Sequence, residues 1–344
     1  MDVFELTRAL VDIESITGSE GRAGEFLLDY LSGPAARFGG RVERMEVEPG
    51  RFNVFAQWGE QPTVTLSTHM DTVPPFSPSR EDGEHVWGRG SCDAKGIIAS
   101  MTKAAEGLLE AGERNFGLLF VVGEERNSAG AYRAAEMPRG SRYLVNGEPT
   151  ENQVALGSKG ALRYEVVSTG KMAHSAYPEL GESAIHKLIE ALGRILAIEL
   201  PEDPVLGAST LNVGTISGGR APNVVADEAR AEILIRLVGD SEGTKRALED
   251  AVRSAGGQQL AELREILELP AMRLGAPDGL ATTVVAFTTD IPAFGGRWGE
   301  PFLVGPGSIH VAHTPEERVP KRELLEAVEI YQQLIRQLCK RESK

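Results

Sequence analysis

The sequence predicts an α/β protein with a smaller, ferredoxin-like α+β domain inserted into it, and three observations lead there. Apolar strand-like runs alternate with amphipathic segments up to about Asn146, the pattern of a sheet covered by helices on both faces. From about Ser158 to Ala271 the order becomes β-α-β-β-α-β, that of a ferredoxin-like unit. After Ala271 the α/β pattern resumes. A length of 344 residues exceeds one ordinary core. The expected domains are therefore 1–157 with 272–344, and the insertion 158–271.

Taken in order, residues 2–38 read as two amphipathic helices separated by Ser15–Gly18, with Ser19 as N-cap of the second. Arg41–Glu48 and Phe52–Trp58 alternate as strands do, and Val64–Leu66 is a short apolar strand. A short strand near His85–Trp87 precedes a glycine-rich loop. Past that loop, Ile97, Ile98, Met101, Ala104, Ala105, Leu108 and Leu109 recur at helical spacing. Strand Phe116–Val122, a helix near Ala129–Met137 and strand Arg142–Asn146 follow. In the insertion we expect strand Gly160–Thr169, helix Glu182–Ile198, strands Ser209–Ser217 and Val224–Leu237, helix Ser241–Ala255 and a strand near Arg264–Leu269. Thr282–Phe287, Pro301–Val304 and helix Arg322–Leu338 complete the chain.

Composition narrows the function. The chain is 41% hydrophobic and 25% charged, ordinary for a globular protein, and no apolar run approaches a membrane span. Its acidic N-terminus does not resemble a signal peptide. Two cysteines, Cys92 and Cys339, cannot make a disulfide framework, so a reducing cytoplasm is expected. A formal charge of −14 excludes nucleic acid and anionic membrane as natural partners. An acidic substrate then needs a local cationic group to receive it.

The acids and histidines stand just after apolar strands, where ligands gather in α/β sheets. Ser67-Thr-His69-Met-Asp71 follows Val64–Leu66. Trp87-Gly-Arg-Gly-Ser-Cys-Asp93-Ala-Lys-Gly96 leads into the helix, its glycines allowing tight turns that present one carboxylate. Val121-Val-Gly-Glu124-Glu125 and Val145-Asn-Gly-Glu148-Pro end two further strands, and Ala312-His313-Thr-Pro-Glu-Glu317 lies near the C-terminus. A centre holding two divalent metals needs several carboxylates and imidazoles converging from different strands. Glu151 competes with Glu148 as a ligand. His310 competes with His313, and the Thr-Pro-Glu-Glu tail selects His313. Cys92 reads as a packed thiol.

In order and spacing these five motifs resemble the dinuclear zinc amidohydrolases and exopeptidases. That family includes acetylornithine deacetylase, succinyl-diaminopimelate desuccinylase, aminoacylase and glutamate carboxypeptidase. The resemblance implies a zinc-exopeptidase-like catalytic domain and two divalent metals, zinc or cobalt. It implies Asp93 bridging both, His69 and Glu148 completing one site, and Glu125 and His313 the other. Asp71 would accept the second N–H of His69 and fix its tautomer. Glu124, pointing away from Glu125 on extended backbone, would be the general base as a metal-bridging water attacks the amide. A cis peptide between Asp93 and Ala94 is also implied.

In the insertion, Lys171-Met-Ala-His174 matches a histidine that in related dimers enters the partner subunit's site to stabilise the oxyanion. Asn223 would assist it, and Arg236 would bind a substrate carboxylate as a bidentate pair. Backbone N–H groups of the Gly305–Ser308 turn, at Gly307, would bind the same carboxylate. A homodimer through the insertion is expected. The expected reaction is hydrolysis of an N-acyl amino acid; the alternative is an exopeptidase, carboxypeptidase or di/tripeptidase, on short peptides. In the family a Glu at the position of Glu148 goes with deacylases and carboxypeptidases, and Asp with aminopeptidases and dipeptidases.

Overall fold

Residues 1–341 are described by a computed structural model, in which the chain forms two units. The first comprises residues 1–156, 274–283 and 289–341, and the second residues 157–273 with 284–288. The second is thus inserted in the sequence of the first.

Six strands form the sheet of the first unit. An antiparallel hairpin, Gly40–Glu48 with Arg51–Trp58, lies at one edge. Next come Phe116–Val121, Val64–His69, Tyr143–Asn146 and Glu300–Leu303, all parallel to one another. These four parallel strands are buried almost throughout because both faces are covered. Alternation still decides which face each side chain serves. Leu118 and Phe120 pack with helices Val3–Val11, Gly21–Phe38, Lys95–Glu110 and Lys321–Arg341, while Leu119 and Val121 pack with Ala131, Phe294 and Trp298 on the other side. With the four strands parallel, His69, the Gly123–Glu125 turn, Glu148 and the Gly305–Gly307 turn all fall at carboxyl ends of strands.

In the second unit an antiparallel sheet runs Thr210–Gly218, Glu228–Leu237, Gly160–Thr169, Glu262–Leu269. Helices Ala184–Ile195 and Ser241–Ala251 cover one face, burying Leu162, Val166, Leu188, Ile233 and Ile235. The chain order is β-α-β-β-α-β.

Several local expectations are corrected. Ser19 is not an N-cap; the helix begins at Gly21 after Glu20, whose carboxylate is held by Arg51 instead. The expected strand from Val224 begins only at Glu228, since residues 219–227 form a loop containing Pro222. Val154–Ser158 is a strand that alternation did not reveal. It pairs with Met272–Arg273 and Thr282–Val285 in a separate small sheet. Arg318–Pro320 is also extended and pairs with His85–Trp87.

Leu188 is fully buried against the inserted sheet. Leu188→Ala should lower unfolding free energy by about 2–5 kcal/mol in a urea titration. A loss under about 0.5 kcal/mol would mean that this face is not a packed core.

Candidate metal centre

The centre is assembled by where strands stop. His69 is the last residue of its strand and its ring is buried. Nδ1 lies 3.0 Å from the Asp71 carbonyl oxygen and 3.5 Å from the Asp71 carboxylate. Nδ1–H thus faces two oxygens of Asp71, the carbonyl at the shorter distance and the expected carboxylate beside it. With Nδ1–H committed there, Nε2 faces Asp93 Oδ1 at 3.0 Å.

The Asp71 carboxylate does something else. It accepts N–H bonds from Gly123 at 3.0 Å, Glu124 at 3.1 Å and Glu125 at 3.2 Å, and the Thr17 hydroxyl at 2.8 Å. Burial alone would raise its pKa, but the bonds from His69, Thr17 and the backbone hold it below the usual value. Asp71 thereby fastens the acidic turn that follows Phe116–Val121. Gly123 enters that turn at φ 83°, open to glycine and costly for other residues. The backbone is not extended here. Glu124 therefore does not point away from Glu125: carboxylate atoms of both lie within 4.8 Å of each other and of a His69 nitrogen.

Asp93 occupies the middle. Its Oδ1 faces His69 Nε2 and its Oδ2 faces His313 Nε2 at 3.3 Å. Burial opposes ionisation, yet the two imidazoles hold the carboxyl far below its ordinary range. The Asp93–Ala94 peptide is cis, as the resemblance implies. Helix Lys95–Glu110 starts immediately afterwards, and a Cβ at Gly96 would collide with the Ser91 carbonyl oxygen, so glycine is required for this close return. His313, at φ 63°, also faces Glu125 Oε1 at 2.8 Å, and its side chain is half-exposed. Asp93 and Glu125 push its pKa up to about 10.

Two triads of ligand atoms result, each within 4.8 Å and sharing Asp93: His69–Asp93–Glu148 and Asp93–Glu125–His313. A third, His69–Glu124–Glu125, overlaps them. Glu148 is buried, and among the described residues its Oε1 has no hydrogen-bond partner. Burial, with repulsion from Glu124 and Asp93, pushes its carboxyl well up. Glu124 is likewise pushed well up by burial, with His69 opposing and Asp290, Glu125 and Asp93 adding repulsion. Such a cluster of imidazoles and orphaned acid oxygens suits divalent cations of the zinc kind. Glu151 instead accepts from the Ser308 hydroxyl at 2.8 Å, and His310 is exposed outside the triads. The Cys92 thiol is buried and raised in pKa by that burial.

In the second unit, His174 and Asn223 lie on adjacent exposed loops, joined by the bond from Ser175 N–H to the Asn223 carbonyl at 3.0 Å. His174 Nδ1 accepts the Ala176 N–H at 3.1 Å, which leaves Nε2 as the donor of the neutral ring. Arg236 lines a groove of about 420 Å³ with Asn212, Thr215 and Thr288. Its guanidinium has no ion-pair partner among the described residues, and burial lowers its pKa. Gly307 is corrected. Its N–H donates to Glu323 Oε2 at 2.8 Å, and Gly305 N–H to Thr150 Oγ1 at 3.0 Å, so neither is free for a substrate carboxylate.

Two buried acids escaped sequence reasoning. Among the described residues neither Asp290 carboxylate oxygen has a partner within hydrogen-bond geometry, and burial pushes its carboxyl up to about 7, with Ser128 opposing. No motif signals it. Glu317 sits in the tail that singled out His313, but its own contacts lie elsewhere, on the Asp93 loop.

The fold and this centre define a metal-dependent hydrolase. The model of "Peptidase family M20/M25/M40" matches residues 65–337. A peptidase M20 domain-containing protein of Schizosaccharomyces pombe is 37% identical over 97% of this chain and 84% of its own. A probable carboxypeptidase of Aspergillus terreus is 37% identical over 95% of this chain and 84% of its own. Among solved structures, aminopeptidase PepT from Bacillus cereus superposes with TM-score 0.80 at 20% identity, covering 98% of each chain, a likeness of fold. The chain belongs to peptidase family M20/M25/M40 and is a metallohydrolase.

Protons and metals compete for this centre. Glu125, Glu148 and His313 all have raised pKa values, so each retains its proton to higher pH than an isolated group. Divalent-metal affinity should therefore rise steadily from pH 6 to pH 8 in equilibrium dialysis. A flat profile would mean that these groups are not the ligands.

Proposed function

We propose that this protein is a metallo-carboxypeptidase acting on short peptides, with two divalent metals, zinc or cobalt, held by His69, Asp93, Glu125, Glu148 and His313. The observation that carries the reading is the pair of triads sharing Asp93. Bound there, two such cations lower the pKa of a water and polarise a carbonyl oxygen. The chain's own groups do the rest. Glu124, raised in pKa and set beside His69, takes a proton from the attacking water and returns it to the amide nitrogen as the C–N bond breaks. Arg236, a half-buried cation with no ion-pair partner among the described residues, receives the C-terminal carboxylate. Glutamate at position 148 agrees with carboxypeptidases and deacylases. Relatives named probable carboxypeptidases favour the peptidase over the N-acyl amino acid deacylase that the sequence put first. The deacylase remains the second reading, because an N-acyl amino acid presents the same amide and the same carboxylate.

We further propose a homodimer through the inserted unit. Thr210–Gly218 is an edge strand, and Ile216 on it, Ile189 on helix Ala184–Ile195 and Leu196 just after that helix are about 58–61% exposed. His174 of one copy would then give its Nε2–H to the oxyanion in the other's site, assisted by Asn223.

The test is a peptide panel read by mass spectrometry after loading with zinc or cobalt. N-blocked peptides with a free C-terminus should lose their last residue, and C-amidated ones should resist. Release of the first residue from amidated peptides would overturn the reading, while cleavage confined to N-acetyl amino acids would select the deacylase. Glu124→Gln should keep its metals and lose at least ~10²-fold in kcat. A Glu124→Gln protein with normal turnover would move the base elsewhere. Mixing the inactive variants His174→Ala and Glu124→Ala should restore part of the activity if His174 acts across the dimer. A mixture that stays dead would place His174 outside the shared site.

A further inference from the structure

Glu317 is 3% exposed and is used by no step above. Its Oε1 accepts three backbone N–H groups of one loop: Gly90 at 2.8 Å, Asp93 at 3.2 Å and Cys92 at 3.3 Å. Its Oε2 pairs with Arg89, itself 5% exposed, and its carbonyl oxygen accepts the Gly88 N–H at 3.1 Å. The pairing of Arg318 with Trp87 brings Glu317 to this loop, and His313 lies four residues earlier on the same segment. One short stretch therefore carries both a ligand candidate and the fastening of the loop that presents Asp93.

We infer that Glu317 is a positioning residue for the metal centre: by cradling the Gly90, Cys92 and Asp93 amides it fixes where the Asp93 carboxylate stands between His69 and His313. The inference rests on the reading of Asp93 as the shared ligand. The geometry favours positioning over general support because the three donors flank one side chain and converge on one oxygen. Asp71 likewise holds the Gly123–Glu125 turn, so two of the turns that face the centre are each gripped by one buried acid. Lost outer contacts of this type cost about 10–100-fold in metal affinity.

Three variants separate the cradle from the charge. Glu317→Gln keeps an acceptor oxygen at the same reach but loses the charge facing Arg89. Glu317→Asp keeps the charge but withdraws the oxygen by one methylene. Glu317→Ala removes both. Zinc affinity, measured on the folded proteins by competition with a chromophoric chelator, should fall in the order wild type, Glu317→Gln, then Glu317→Asp and Glu317→Ala. The last two should be at least 10-fold weaker than wild type. Deuterium uptake by the peptide covering residues 88–94 should rise in the same order in the metal-free proteins. Arg89→Met, which spares the cradle, should lower Tm yet change zinc affinity by less than about threefold. Wild-type affinity in Glu317→Asp together with a loss in Glu317→Gln would overturn the cradle, as would unchanged affinity in folded Glu317→Ala. If the wild type itself binds no divalent metal, the reading of the centre fails first and the inference falls with it.

Discussion

The Asp93 carboxylate, one oxygen toward His69 and the other toward His313, is the contact on which the centre depends. A side chain can hold that place only if its backbone is fixed from several directions. The three amides gathered by Glu317 do this locally. His69 reaches it because its strand ends in register with Val121, whose own chain turns at Gly123 to deliver Glu124 and Glu125. The parallel sheet thus converts strand ends into a cluster of ligands, and buried acids lock the turns between them.

Electrostatics explains why such a cluster is worth its instability. Asp93, Glu124, Glu125, Glu148 and Asp290 crowd a small, largely buried volume with two imidazoles to offset them. Without cations, burial and mutual repulsion favour the protonated form of Glu124, Glu125 and Glu148, whose pKa values are raised. Two divalent charges would replace those protons and leave Glu124 free to exchange one with a water. Asp290 adds negative potential at Glu124 from a segment that no motif marks.

Much of this was legible in the sequence because His69, Glu125 and Glu148 stand at or just after strand ends, and apolar runs followed by His or Glu are conspicuous. Residues 69, 93, 125, 148 and 313 come together in the two triads. What was not legible came from contacts between distant turns. The N–H of Gly307 is taken by Glu323, and nothing local in the glycine-rich turn announces this. Glu124 and Glu125 share a face because Gly123 breaks the extended backbone that alternation assumes. Asp71 and Glu317 act through backbone amides, which carry no sequence signature. The strand at Val154–Ser158 is short and lies between two patterns, so periodicity had nothing to count.

Metal stoichiometry in single-ligand variants tests the shared-carboxylate account most directly. The wild-type protein, dialysed against zinc and assayed by mass spectrometry of the metal, should hold two ions per chain. Glu148→Ala and His313→Ala should each keep one, whereas Asp93→Ala should lose both. One ion retained by Asp93→Ala with wild-type affinity would contradict the account, because the two triads could not then share that carboxylate.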